Sequence, residues 1–102
     1  MNNTYFTICK ADQDQREHVL MQSAIKNNDT KKNAIIYVAI NDNNRIIGSI
    51  IVAEQNAPTK IMGKCWYIAE IFVHQKYRRN GIATALFAEI KREAELSNIL
   101  YF

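Results

Sequence analysis

With 102 residues and a hydrophobic fraction of 48%, the chain can build one modest core but not two, and its composition is that of an ordered globular domain. No apolar run approaches the ~20 residues of a membrane span, and residues 1–10 (MNNTYFTICK) lack the charged start and apolar stretch of a signal peptide. Cys9 and Cys65 stand alone, as reduced, buried cytoplasmic cysteines do, and neither His18 nor His74 has the Cys or acidic companions of a metal site.

Residues 4–9 (TYFTIC), rich in β-branched and aromatic side chains, predict a first strand. Residues 11–14 then offer an N-cap, with Glu17 three positions after Asp14 in the spacing of a capping box. Val19, Leu20 and Ile25, with Met21 and Ala24 between them, follow a helical period to residue 26. Residues 27–33 are polar throughout and predict a surface loop. AIIYVAI at 34–40 is a continuous apolar run, as a strand buried on both faces requires. The cluster Asn41-Asp42-Asn43-Asn44 predicts a turn that tolerates left-handed residues. Residues 45–53 (RIIGSIIVA) are the return strand of a hairpin, with Gly48 marking a bulge or a close approach of backbone. A loop at 56–60, extending to Gly63, precedes a third long strand at 65–73.

From there the chain changes character quickly. The strand runs into a cationic loop, Lys76-Tyr77-Arg78-Arg79, and after Gly81 a helical pattern passes through Ala85, Leu86, Ile90 and Ala94. The net charge is only +3, yet Lys60, Lys64, Lys76, Arg78 and Arg79 gather in this part of the chain against the single acid Glu70. A strand, a basic turn with glycine and a helix in succession build an anion cradle. The first N–H groups of a helix lack an intrahelical partner, and the helix dipole adds roughly half a positive charge there. The amides of residues 79–84 are expected to converge on a phosphate or pyrophosphate, with room left by Gly81 and added hydrogen bonds from Arg78 or Arg79. A tight turn with solvated arginines is the plain alternative. The glycine and lysine spacing of a Walker loop is absent, as are the three glycines of a dinucleotide fingerprint. So short a basic patch disfavours nucleic acid as a partner. Residues 97–98 predict a helix stop and 99–102 (ILYF) the opening of another strand, parallel to its predecessor because a helix connects them. The order β-α-β-β-β-α-β defines a mixed-sheet α/β (α+β) fold, one domain over residues 1–102.

The stretch FVHQKYRRNGIA at 72–83 resembles the acetyl-CoA-binding motif of the GNAT superfamily of N-acetyltransferases. That family's signature, Q/R-x-x-G-x-G/A, is met by Arg78, Gly81 and Ala83, and the hairpin at 34–53 stands where the family has its second and third strands. The resemblance implies a GNAT-like acyl-CoA N-acyltransferase fold and acetyl-CoA as acyl-donor cosubstrate, without a metal. It implies direct attack by a primary amine of a small molecule or peptide, with no covalent acyl-enzyme. The amides of Arg78, Arg79, Asn80, Gly81, Ile82, Ala83 and Thr84 would hold the pyrophosphate. The backbone of Ile71, Phe72 and Val73 would pair with the pantetheine arm, one N–H polarising the thioester carbonyl. Glu70 stands where family members often place a carboxylate and is the candidate general base; a structural acid paired with a lysine is the alternative. Strict alternation would put Trp66, Ile68, Glu70 and Phe72 on one face, with the carboxylate among apolar neighbours.

The sequence also departs from the family pattern. Arg79 stands at the first loop glycine, and one helix rather than two is expected before the hairpin. The helix and two strands that follow the fifth strand in the family, with its general-acid tyrosine, have no counterpart here, and Tyr101 does not occupy that tyrosine's position. The expectation is a C-terminally shortened domain that pairs as a homodimer through the apolar ILYF edge. The alternative function is a CoA-binding, catalytically silent GNAT remnant that works by dimerisation or partner binding.

Overall fold

In the computed structural model, which describes residues 5–56 and 64–97, four strands form one antiparallel sheet in sequence order, with helices on both faces. The strands are β1 (Thr7–Lys10), β2 (Ile35–Ile40), β3 (Ile46–Asn56) and β4 (Lys64–Val73). The helices are α1 (Gln13–Gln22), α2 (Asn28–Asn33) and α3 (Ile82–Leu96), and a short 3-10 turn, Gln75–Tyr77, follows β4. Of the predicted loop from residue 56 to Gly63, Asn56 is instead the last residue of β3; the rest of that loop and the predicted strand at 99–102, with the pairing edge it would carry, lie outside the described residues.

The centre of the sheet is as apolar as the sequence requires. In β2, Tyr37 and Ala39 face α3 while Ile36 and Val38 face α1, and all four are buried. The β2–β3 turn is held by Asn41, whose side-chain oxygen accepts from the amides of Asn43 at 3.0 Å and Arg45 at 2.9 Å. Asn44 takes the left-handed conformation there, with φ of 61°. On the far face α3 buries Ile82, Leu86, Ile90 and Ala94, one residue per turn. Each of its Leu and Ile side chains contributes roughly 1.5–3 kcal/mol by leaving water. That stripe fixes which way the start of α3 points.

The other face differs from expectation in two places. Residues 28–33 are helical rather than looped: Asn27 caps α2 by accepting from the Thr30 amide at 3.0 Å, and Lys31 and Lys32 stand in its last turn, where cations suit the dipole. The free carbonyls at its end are taken by Arg16 of α1. Its guanidinium donates to Lys31 O at 2.9 Å, Lys32 O at 3.1 Å and Ala34 O. Two helices therefore precede the hairpin. The second difference is at α1, which is capped by Asp12 and Gln15, not by Asp14 and Glu17: the Asp12 carboxylate accepts from the Gln15 amide at 2.8 Å, and Gln15 Oε1 accepts from the Asp12 amide at 2.9 Å. The helix also ends at Ser23 rather than running to residue 26, and buries only Val19.

Candidate active site

Gly48 of β3 lets the head of α3 approach the sheet. A Cβ there would lie 2.8 Å from Ile82 Cγ2 and 3.2 Å from the Phe72 carbonyl oxygen, so this is the close approach expected of that glycine. The connection from β4 is then wound tightly. The His74 Nδ1 accepts from the Lys76 amide at 3.2 Å, and Arg78 Nε donates to Val73 O at 3.2 Å. The Asn80 side chain donates to the carbonyls of Tyr77 at 2.9 Å and Arg78 at 3.2 Å, so loop carbonyls are satisfied from within. Arg79, at the position of the family's glycine, adopts a left-handed φ of 69°. Gly81 follows at 77°, with nothing within 4 Å of where its Cβ would be. The Arg78 amide, expected in the cradle, instead donates to Gln75 O at 3.4 Å, closing the 3-10 turn, whereas the amides of residues 79–84 find no acceptor among the described residues. Of these residues, Arg79, Gly81, Ile82, Ala83 and Thr84 border an open concavity of about 380 Å³, with Val73 and Arg78 beside them. Backbone donors without acceptors at the positive end of a 15-residue helix are suited to an anion.

Beside this cradle runs β4, an edge of the described sheet. His74 donates its amide to Ile47 O at 2.9 Å. By two-residue alternation Phe72 also turns its peptide groups toward β3, and Ile71 and Val73 turn theirs to the open side. Arg78 already takes the Val73 carbonyl there. Of the three expected strand contacts, Ile71 and Val73 thus present backbone on the edge of the described sheet, and Phe72 contributes its side chain elsewhere.

The structure corrects the expected face of Glu70. β3 pairs Ile51 with Glu70 and Val52 with Ile68, which leaves Ala69 as an extra, bulged residue. Trp66 and Ile68 therefore pack toward α3, whereas Ala69 packs toward α1, and Glu70 and Phe72 line a cavity on that same side. This cavity, of about 310 Å³, lies between α1, β3 and β4, with His18, Ser23, Ser49 and His74 among its other walls. The neighbours of Glu70 are thus largely polar, not apolar. Its Oε1 accepts from the Ala24 amide at 3.1 Å, which fixes the carboxylate and leaves its second oxygen without a partner among the described residues. It has no cationic partner either: the described ion pairs are Lys64–Glu54 and Arg92–Glu89. The structural acid on this part of the sheet is Glu54, which accepts from Trp66 Nε1 at 3.0 Å.

Sequence reasoning missed His18, Ser49 and His74. Counting in steps of two from Glu70 reaches Phe72 and His74, and His18 adjoins Val19, so the signals were present once the face was known. Among the described residues no group of His, Cys, Asp and Glu could hold a metal ion, and no helix is long and apolar enough to cross a membrane.

Known proteins share this architecture. An acetyltransferase from Vibrio fischeri superposes with a TM-score of 0.75 at 19% identity, covering 94% of this chain and 93% of that one. A GNAT family acetyltransferase from Staphylococcus aureus gives 0.71 at 16% identity, covering 94% of this chain and 82% of its own. The aminoglycoside antibiotic 6'-N-acetyltransferase of Acinetobacter baumannii gives 0.71 at 16% identity, covering 96% and 77%. At these identities the likeness is one of fold. Comparison with curated proteins by sequence gives no match. The family model described as acetyltransferase (GNAT) family matches residues 2–102. The chain belongs to the GNAT acetyltransferase family.

Proposed function

We propose that the chain is a cytoplasmic, acetyl-CoA-dependent N-acetyltransferase that acts on a primary amine, with residues 1–102 as one such domain. The observation that carries this reading is the set of amides at 79–84 without acceptors among the described residues, set beside the outward backbone of Ile71 and Val73 on the edge of the described sheet. Such donors suit a pyrophosphate followed by an amide-bearing arm. Bound there, acetyl-CoA supplies an acyl group already activated as a thioester.

The chain's own residues do the rest. The amides of residues 79–84, with the Arg79 guanidinium beside them, neutralise phosphate charge. An N–H on the free edge of β4, at Ile71 or Val73, donates to the acyl carbonyl oxygen where negative charge develops. Glu70 faces the α1-side cavity with one oxygen held by Ala24 and the other able to accept a proton from the incoming ammonium. Pairing of two copies through residues 99–102 belongs to the same proposal; a stable monomer by sedimentation at micromolar concentration would remove that part.

Calorimetry with CoA and desulfo-CoA, followed by thiol release against a panel of amines, tests the reading. Both ligands are expected to bind, and Gly81→Glu should weaken them at least about tenfold by placing a carboxylate at the phosphate site. Unchanged CoA affinity in that variant would remove the cradle assignment. Binding without thiol release from any amine would favour the catalytically silent alternative.

A further inference from the structure

The cavity on the α1 side has a chemical polarity of its own. Below the bulge, Glu70 and Phe72 stand at alternate positions of one strand face, His74 continues that alternation one residue past the end of β4, and all three line the cavity. Four residues of extended chain set the ends of that row roughly 13 Å apart between Cα atoms. One end is an acceptor, the free oxygen of Glu70. The middle is apolar, the half-exposed ring of Phe72.

The other end is a donor. His74 Nδ1 already accepts from the Lys76 amide, so the neutral ring carries its proton on Nε2. Beyond it the cavity adjoins a second concavity of about 540 Å³, with His18 and Ile46 lining both. Arg45 lies in that second space and has no ion pair among the described residues. The acids at that end are Asp12, one of whose oxygens accepts from the Gln15 amide, and Asp14 in the first turn of α1, and neither forms an ion pair among the described residues. Among the described residues Glu70 is the only carboxylate lining the first cavity, whose volume is at the lower end of the about 300–1,000 Å³ of ligand sites. A polycation would leave most of its charges unmatched there.

We infer that the acceptor is a small primary amine carrying a carboxylate across a short apolar spacer, with the ammonium at Glu70, the spacer over Phe72 and the carboxylate held by His74 and Arg45. This rests on the proposed function and narrows its substrate class. His74 and Arg45 are specificity-determining residues in this scheme and take no part in the chemistry. A guanidinium fork is matched to a carboxylate in geometry as well as charge.

The test compares 6-aminohexanoate with hexylamine and 1,6-diaminohexane in a thiol-release assay on the intact chain. The amino acid should exceed both in kcat/KM by about tenfold, the discrimination of one charge-assisted contact. Arg45→Glu and His74→Asp should each shift the preference toward the diamine, through KM for the amino acid rather than kcat. Asp at 74 keeps an oxygen to cap the Lys76 amide while repelling a carboxylate. Calorimetry with CoA on each variant checks that it is folded. A wild-type preference for the diamine or the alkylamine overturns the inference and leaves the proposed function standing, as does a preference that neither charge reversal moves. Failure of every amine to release thiol from a CoA-binding chain overturns both.

Discussion

Replacing Gly48 by alanine tests the contact that sets the cradle against the sheet. The new methyl would sit 2.8 Å from Ile82 Cγ2, 3.2 Å from the Phe72 carbonyl oxygen and 3.5 Å from Leu86 Cδ1. Ile82 and Leu86 are essentially inaccessible, and the carbonyl belongs to a paired strand, so none can yield freely. Overpacking of this kind costs about 1–3 kcal/mol. Against it stands a gain of about 0.4–1 kcal/mol, because alanine has fewer unfolded conformations than glycine. The clash wins, with a net loss of about 1–2 kcal/mol, or about 5–10 °C in the thermal midpoint of a domain this size. Relief has to come from α3 moving outward, and Ile82 is its first residue, so CoA affinity should fall in parallel. Ile82→Ala opens the space, and urea denaturation of both single variants and the double should show it less destabilised than the sum, by at least about 1 kcal/mol. A Gly48→Ala chain as stable as wild type, or strict additivity with Ile82→Ala, would refute this account of how α3 is seated.

Three other outcomes are expected. Glu70→Gln keeps an oxygen for the Ala24 amide but loses the proton acceptor; kcat for amine acetylation should fall by about 10²–10⁴ with CoA affinity unchanged, as read from initial rates and calorimetry. Arg16→Lys replaces a fork serving three carbonyls with a single point charge; a loss of about 1–3 kcal/mol in urea denaturation is expected, with α2 the first helix to lose amide protection in hydrogen exchange. At alkaline pH, burial and then the Asp12 charge raise the folded-state pKa of the Cys9 thiol above its ordinary 9.0. The unfolded chain therefore loses that proton first. The contribution to stability is complete below pH 9 and is lost as pH rises through the folded value; Cys9→Ala should flatten that part of a stability profile measured between pH 8 and 11.

What was legible in the sequence was what neighbours in the chain determine. The apolar run at 34–40, the asparagine turn, the tight glycine at 48 and the strand–loop–helix around Gly81 all follow from local composition, and each is where it was expected. Arg79 shows the same logic reaching further. A family glycine replaced by arginine still takes the left-handed conformation, because Asn80 ties the loop carbonyls and Arg78 ties Val73. What was not legible depends on residues far apart in sequence. α2 is six polar residues with no apolar stripe, and the groups that satisfy its end come from Arg16, 15 to 18 positions earlier. At α1, Asp12 with Gln15 and Asp14 with Glu17 are equally plausible capping pairs on spacing alone. Ala11 donates its amide to Ile36 O at 2.9 Å, which ties residue 11 to β2 and favours a helix that starts directly after Asp12.

The bulge in β4 is the most consequential of these nonlocal features. Without it, alternation from Trp66 would direct Glu70 into the core between the sheet and α3, against residues such as Ile82 and Leu86. A carboxylate stranded there would have to stay protonated or destabilise the fold by several kcal/mol. One extra residue, Ala69, fills the α1 side and carries Glu70 to that same side. β4 can then serve the core with Trp66 and Ile68 above the bulge, and line the cavity with Glu70 and Phe72 below it, joined by His74 just past its end. The peptide groups of Ile71 and Val73 remain on the open edge beside the cradle. A bulge is set by which residues of β3 pair across from β4, at Ile51 and Val52, and no periodicity within β4 itself encodes it. The same unreadable residue that misplaced the carboxylate is thus the one that brings cradle, free edge and carboxylate to a single strand.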